Sequence, residues 1–309
     1  MSEDSTNNPN FPLVLLAGAT GYVGRLLLPL LEDRSIAVRC LARNPGKIKR
    51  IRENTEIVRG DVSDAASLDA AMQGVDTAYY LVHLMSGSKN FEADDRQAAG
   101  NFAAAAKKAG VRRIIYLGGL GDDADPKLSP HLRSRHEVGE ILRESGAEVI
   151  EFRAGMIVGA GSLSFDLLKS LTDRLPVMIC PKWLTTPTQP IAVDDVLAYL
   201  LAARELPAGD NRIFEIGGTD VVTYSDLVRE YARLMHLRRW LIFVPVLTPY
   251  LSGLWLALVT PASFEVGRHL IEGLKNPTVV RDAAAQQAFS VRPMSVHAAI
   301  RKAVESTTV

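Results

Sequence analysis

Three glycines spaced three residues apart, Gly18-Ala-Thr-Gly21-Tyr-Val-Gly24, stand between the apolar run Leu13-Val-Leu-Leu-Ala17 and the stretch Arg25-Leu-Leu-Leu-Pro-Leu-Leu31. A buried strand that turns straight into a helix has few ways to fold. The first glycine permits the tight turn, the second leaves the backbone bare, and the third lets helix pack against strand. The first-turn amides of such a helix have no partner inside it and, together with the helix dipole, form a seat for an anion. The pattern therefore predicts a strand–turn–helix unit in which Gly18, Ala19, Thr20, Gly21, Tyr22, Val23 and Gly24 cradle the pyrophosphate of a dinucleotide.

From residue 13 to about 155, short apolar runs alternate with helical stretches, as in a doubly wound parallel α/β sheet covered on both faces. Strands are expected near Leu13–Ala17, Ala37–Ala42, Glu56–Arg59, Thr77–Val82, Arg113–Leu117 and Glu148–Arg153. Ser63-Asp64 opens a helix carrying Leu68 and Met72, and Ser129-Pro130 is an N-cap followed by proline at the first helical position. Gly146 ends that second helix. Residues 1–10 read as a disordered polar tail, 11–160 as a Rossmann-type NAD(P)-binding domain, and 161–309 as a mixed region that completes the sheet and forms a small α-rich substrate part. With 47% apolar residues among 309, the chain can bury a large core. Lys+Arg and Asp+Glu are 35 each, so no net field draws it to nucleic acid, and a small-molecule partner is expected. Cys40 and Cys180 lie in apolar surroundings without metal-ligand spacing and read as core thiols of a reducing compartment. The N-terminal residues lack the apolar core of a secretory signal, which leads us to expect a cytoplasmic protein.

In folds that prefer NAD, an acidic residue about 20 positions past the glycines holds the adenosine 2′-hydroxyl. Here Arg43 stands at that place, with Lys47 close behind, and a guanidinium fork suits a 2′-phosphate. NADP(H) is accordingly favoured over NAD(H). Gly60-Asp61-Val62, after the third strand, offers Asp61 and Val62 to the adenine, Asp61 being equally suited to cap its own loop.

The glycine pattern, Leu-Ala-Arg43, Gly60-Asp61-Val62 and Arg153-Ala-Gly155-Met-Ile-Val-Gly159 resemble the extended and atypical short-chain dehydrogenase/reductase superfamily, most closely its NmrA-like and complex-I-39-kDa-subunit-like branch. The resemblance implies a Rossmann sheet with a seventh strand near Arg212–Ile216, and a substrate region built from residues after 155. It also implies a helix start at Asp194-Asp195-Val196 and a nicotinamide side lined by Leu81, Val82 and His83.

Enzymes of this superfamily use Tyr-x-x-x-Lys on the helix after the fifth strand. This helix reads His131-Leu-Arg-Ser134-Arg135, which aligns His131 with the tyrosine and Arg135 with the lysine, and no tyrosine in the chain is followed four residues later by lysine. The hydroxyl donor common before that helix is replaced by Gly118-Gly119-Leu-Gly121. Three readings stay open. His131 donates the proton while Arg135 holds the ribose or polarises substrate; or hydride passes to a quinone- or enone-like acceptor protonated by water; or the cofactor is sensed rather than turned over, in a regulator or an accessory subunit of a membrane respiratory assembly. His136, one position further, is expected on the solvent side. His83 stands at a strand end where ligands bind in open sheets, or is a satisfied loop histidine.

Residues 240–264 carry no charge. Pro245 and Pro249 leave only Tyr250 to Thr260 as unbroken helix, too short to span a bilayer. The segment is expected to roof the substrate cleft or pack on a partner, with membrane-surface contact through Trp240, Tyr250 and Trp255 as the other reading. An apolar small-molecule substrate follows from either.

Overall fold

The computed structural model describes residues 12–49, 51–84, 90–244 and 273–306. The first half runs β1 (Leu13–Ala17), α1 (Tyr22–Glu32), β2 (Val38–Ala42), β3 (Thr55–Arg59), α2 (Ala65–Met72), β4 (Val75–Tyr80), α3 (Phe91–Ala109), β5 (Arg113–Gly119), α4 (Pro130–Arg143) and β6 (Glu148–Ala154). The second half runs β7 (Ile157–Val158), α5 (Leu163–Arg174), β8 (Val177–Cys180), β9 (Pro187–Thr188), β10 (Ile191–Ala192), α6 (Val193–Ala202), β11 (Arg212–Ile216), β12 (Val222–Thr223), α7 (Tyr224–Leu234) and β13 (Trp240–Phe243). Two closing helices, α8 (Ala284–Ala288) and α9 (Val296–Glu305), follow.

Seven strands form one parallel sheet in the order β11-β6-β5-β4-β1-β2-β3. Alternate side chains of β1 serve opposite faces. Val14 and Leu16 join Leu27, Leu31, Val196 and Leu200 under α1 and α6, while Leu15 and Ala17 join Leu68, Met72, Phe102 and Val138 under α2, α3 and α4. Burial on both faces is why these strands read as continuous apolar runs rather than alternating ones. The strand order reverses between β1 and β4, and an open α/β sheet binds ligands at the carboxyl ends flanking such a point.

Local signals set the helix ends. Asp64 caps α2 through Ala66 N at 3.1 Å, and Ser129 caps α4 through Leu132 N at 3.3 Å, with Pro130 at the first position. Gly146 takes φ +78° after α4. The last sheet strand, β11, matches the range that the superfamily resemblance implies. Strand β4 stops at Tyr80, two residues short of expectation, so Leu81, Val82 and His83 lie in extended chain beyond it.

The second half builds its own core from Met156, Phe165, Leu171, Met178, Cys180, Leu227, Tyr231 and Ile300. Cys40 and Cys180 are free and buried, and burial pushes the Cys40 thiol up to about 12. Strands β8 and β13 pair in parallel as a separate ribbon, which places Trp240 in a strand. The helix expected over Tyr250 to Thr260 lies outside the described residues. Among the described residues no helix is long and apolar enough to cross a membrane.

Candidate active site

Gly18 follows β1 with φ +95°, and a β-carbon there would lie 2.5 Å from the Leu81 carbonyl oxygen. At Gly24 a β-carbon would stand 2.1 Å from Gly18 O, so this residue lets the helix close onto its own turn. Gly21 differs: it is exposed and would meet only Gly18 O, at 3.2 Å. Gly21 N donates to Gly18 O at 2.9 Å and Arg25 N to Gly21 O at 3.0 Å. The amides of Tyr22, Val23 and Gly24 precede the first intrahelical bond, and no side chain caps the helix. A bare exposed turn before an uncapped helix start fits a pyrophosphate. Ala19 is buried and Thr20 exposed on the same turn. The Tyr22 side chain turns away from it: its hydroxyl abuts Gly159, and the Arg25 guanidinium lies 5.3 Å from its ring centre. Burial raises that phenol to about 12.

At the far end of the cleft, Arg43 leaves β2 with its side chain 74% exposed, its Nε 3.9 Å from Asp61 Oδ2. Lys47 is exposed on the short turn Pro45–Lys47. Asp61 Oδ1 accepts from Ser63 N at 2.9 Å, which is the loop-capping role, while Oδ2 faces Arg43. Val62 is buried beneath them. Arg43 and Asp61 thus share one rim beyond β2 and β3.

Beyond β4, Leu81 N donates to Ala17 O at 3.0 Å, tying this segment to the glycine turn. The His83 ring lies against that of His131, with centres 4.9 Å apart and planes tilted by 49°. His83 Nδ1 is 3.2 Å from Asp95 Oδ2, without the alignment of a full hydrogen bond. Burial, then the Arg135 charge, lowers the His83 pKa, and Asp95 offsets this only in part. Asp95 is 1% exposed and accepts from Leu84 N and Ser134 Oγ, each at 3.1 Å. Burial opposes its ionisation, yet the contact with His83, the Leu84 amide and the Arg135 charge hold its carboxyl below the usual range. Sequence reasoning overlooked Asp95. Its signal is a carboxylate inside the buried stripe Phe91, Asp95, Ala98, Phe102 of α3.

Arg135 is buried. Its guanidinium donates to Val82 O at 3.1 Å and to Leu117 O, and lies 4.9 Å from the Tyr116 ring centre. It therefore clamps the ends of β4 and β5 beside the His83–His131 pair.

His136 requires a correction: it is 5% exposed rather than on the solvent side. Nε2 bonds Gly119 O at 2.9 Å and Nδ1 touches Asp123, because the loop after β5 folds back over this face of α4. Burial and then Arg153 lower its pKa, and the mostly exposed Asp123, itself bound to Arg153, offsets this only in part.

A cavity of about 120 Å³ opens at the carboxyl ends of β5 and β6, between Gly119 and Gly155. Leu132, Met156 and Leu274 give it apolar walls; His131, Ser164 and Tyr224 supply its polar groups. The Tyr224 phenol is raised by burial and bonded to Thr188 and Thr278, and His131 brings an imidazole to the same wall.

Residues 18–160 match the NAD(P)H-binding family model. The (4-alkanoyl-5-oxo-2,5-dihydrofuran-3-yl)methyl phosphate reductase of Streptomyces griseus is 26% identical, over 72% of this chain and 74% of its own length. The photosystem II assembly factor Ycf39 of Cyanophora paradoxa is also 26% identical, over 84% of this chain and 79% of its own length. An NADPH-dependent quinone oxidoreductase from Escherichia coli superposes with a TM-score of 0.73 at 19% identity, covering 96% of this chain and all of that one. With the seven-stranded parallel sheet and the glycine turn, these likenesses mark residues 18–160 as an NAD(P)H-binding domain and give the whole chain the Rossmann-type fold of these reductases and of the solved structures similar to it.

Proposed function

We propose that this chain is an NADPH-dependent reductase of a compact apolar carbonyl or quinone-like acceptor. The observation that carries this reading is the apolar cavity at the ends of β5 and β6, with His131 in its wall. A dinucleotide in the cleft would supply hydride. Gly18 to Gly24 hold its pyrophosphate, and Arg43, with Lys47 near it, meets the 2′-phosphate. Leu132, Met156 and Leu274 exclude water around the acceptor. His131 delivers the proton to the reduced oxygen, with the His83 ring packed on it and Asp95 behind. Arg135 is a positioning residue, fixing the two strand ends. The reductase and quinone oxidoreductase among the similar proteins support the same chemistry.

The test is oxidation of NADPH with a panel of quinones and enones. Turnover is expected, with kcat lowered roughly 10²-fold or more in His131→Ala while NADPH affinity is kept. Unchanged turnover in that variant removes His131 from the mechanism. Arg43→Asp should weaken NADPH by at least about tenfold, roughly 1.4 kcal/mol, and leave NADH within about twofold.

A second reading, a sensor of the NADP(H) redox state, is favoured by the commitment of the Arg135 guanidinium to two backbone carbonyls. No turnover, with one redox form bound more than about tenfold tighter, would establish it.

A further inference from the structure

The ribbon β8–β13 has one conventional face and one that is not. Met178 and Cys180 point into the second core, whereas Val177 and Ile179 are each 48% exposed. On β13, Trp240 is 72% exposed, Ile242 52% and Phe243 43%. Trp240 pairs in register with Val177, and Ile242 with Ile179, so these four side chains form one contiguous outward patch, with Phe243 at its edge beside Cys180. A two-stranded ribbon ordinarily turns polar residues to water, and an apolar patch rimmed by charge marks an interaction site.

We propose that this face docks on the surface of an anionic lipid bilayer. Residues 174–183 and 231–244 contribute Arg174, Lys182, Arg233, Arg238 and Arg239 and no acid. The acids that flank these segments in sequence, Asp173 and Glu230, are paired with Lys169 and Arg233. Arg239 anchors the start of the strand through the Thr172 and Asp173 carbonyls, while Lys182 and Arg238 are exposed. Apolar side chains with a tryptophan and a cationic rim match the acyl boundary and its headgroups. A second copy fits poorly, because a two-fold contact would set this cationic rim against itself. The chain continuing from β13 carries no charge as far as residue 264. The inner face of the same ribbon shares a core with Met156 and Tyr224 of the cavity wall. The docking surface itself does not rest on the reductase reading.

Flotation of the full chain with vesicles tests the proposal, using phosphatidylcholine alone and phosphatidylcholine mixed with phosphatidylglycerol. The protein is expected to float with the anionic vesicles, with a blue shift of tryptophan emission, and to be released by added salt. Trp240→Ser combined with Ile242→Ser should cut the bound fraction at least about tenfold, and Arg238→Glu should weaken it further. NADPH affinity and turnover of a water-soluble quinone should stay unchanged in the double variant, separating this idea from the reductase reading. Absence of flotation, or equal flotation of the double variant, overturns the proposal. So does a wild-type dimer in sedimentation equilibrium that the double variant converts to monomer, since the face would then be an interface between copies.

Discussion

A methyl group added at Gly24 meets the Gly18 carbonyl oxygen, and neither partner is a side chain that can swing aside. Gly24→Ala should therefore cost about 1–3 kcal/mol in denaturant unfolding and abolish tight NADPH binding. Gly21→Ala faces only one mild contact, so it should keep its stability and lose affinity alone, because the methyl would enter the proposed pyrophosphate seat. His83 carries a pH signature. Its pKa is lowered from 6.5 by burial and by Arg135, so the unfolded chain takes up that proton first. The contribution of His83 is complete above pH 6.5 and is lost as the pH falls through that value toward its folded pKa. Unfolding midpoints measured from pH 7.5 down to 5 should fall, and the slope should be shallower in His83→Gln.

Arg113, at the start of β5, is fully buried. It binds Glu148 of β6 and the carbonyls of Ala203, Arg204, Leu206 and Pro207, the stretch that carries the chain from α6 toward β11. Arg113→Met should cost about 3 kcal/mol, because it removes one of the two arginines that hold the buried Glu148 carboxylate and strands several carbonyls; thermal unfolding would show it. Elements of this kind divide into those legible in sequence and those not. β1, the caps at Asp64 and Ser129 and the turn at Gly146 could be read because their determinants lie within a few residues. The β8–β13 pairing could not, since it joins segments some sixty residues apart through a short parallel register with no local signature. His136 was misjudged for a related reason: helical spacing says which way a residue points, and the cover it receives from Asp123 is tertiary. In the candidate site the strand–glycine–helix turn was legible, because its determinants are local, and Arg43 follows β2 directly. The partners of His83 were not: Asp95 lies on α3 and reaches His83 only through tertiary packing.

Across the whole molecule, the site depends on chain that returns late. Asn276 accepts from Ser129 N at 3.0 Å and donates to Asp125 Oδ2 and Lys127 O. Thr278 O accepts from Gln189 N at 2.8 Å, and Arg281 binds Glu215. Asn276→Ala should cost about 1–3 kcal/mol and raise KM for the acceptor more than for NADPH, since it frees the α4 start beside His131 without touching the glycine turn. The same stitching sets an order of events during synthesis. A nascent chain can assemble β1 to β6, with the glycine turn, while its last hundred residues are still inside the ribosome or not yet made, but the wall bearing Leu274 does not yet exist. On the reductase proposed above, cofactor capture would precede acceptor capture in the life of each molecule, and an unfinished chain would hold reducing equivalents with no completed pocket to receive them.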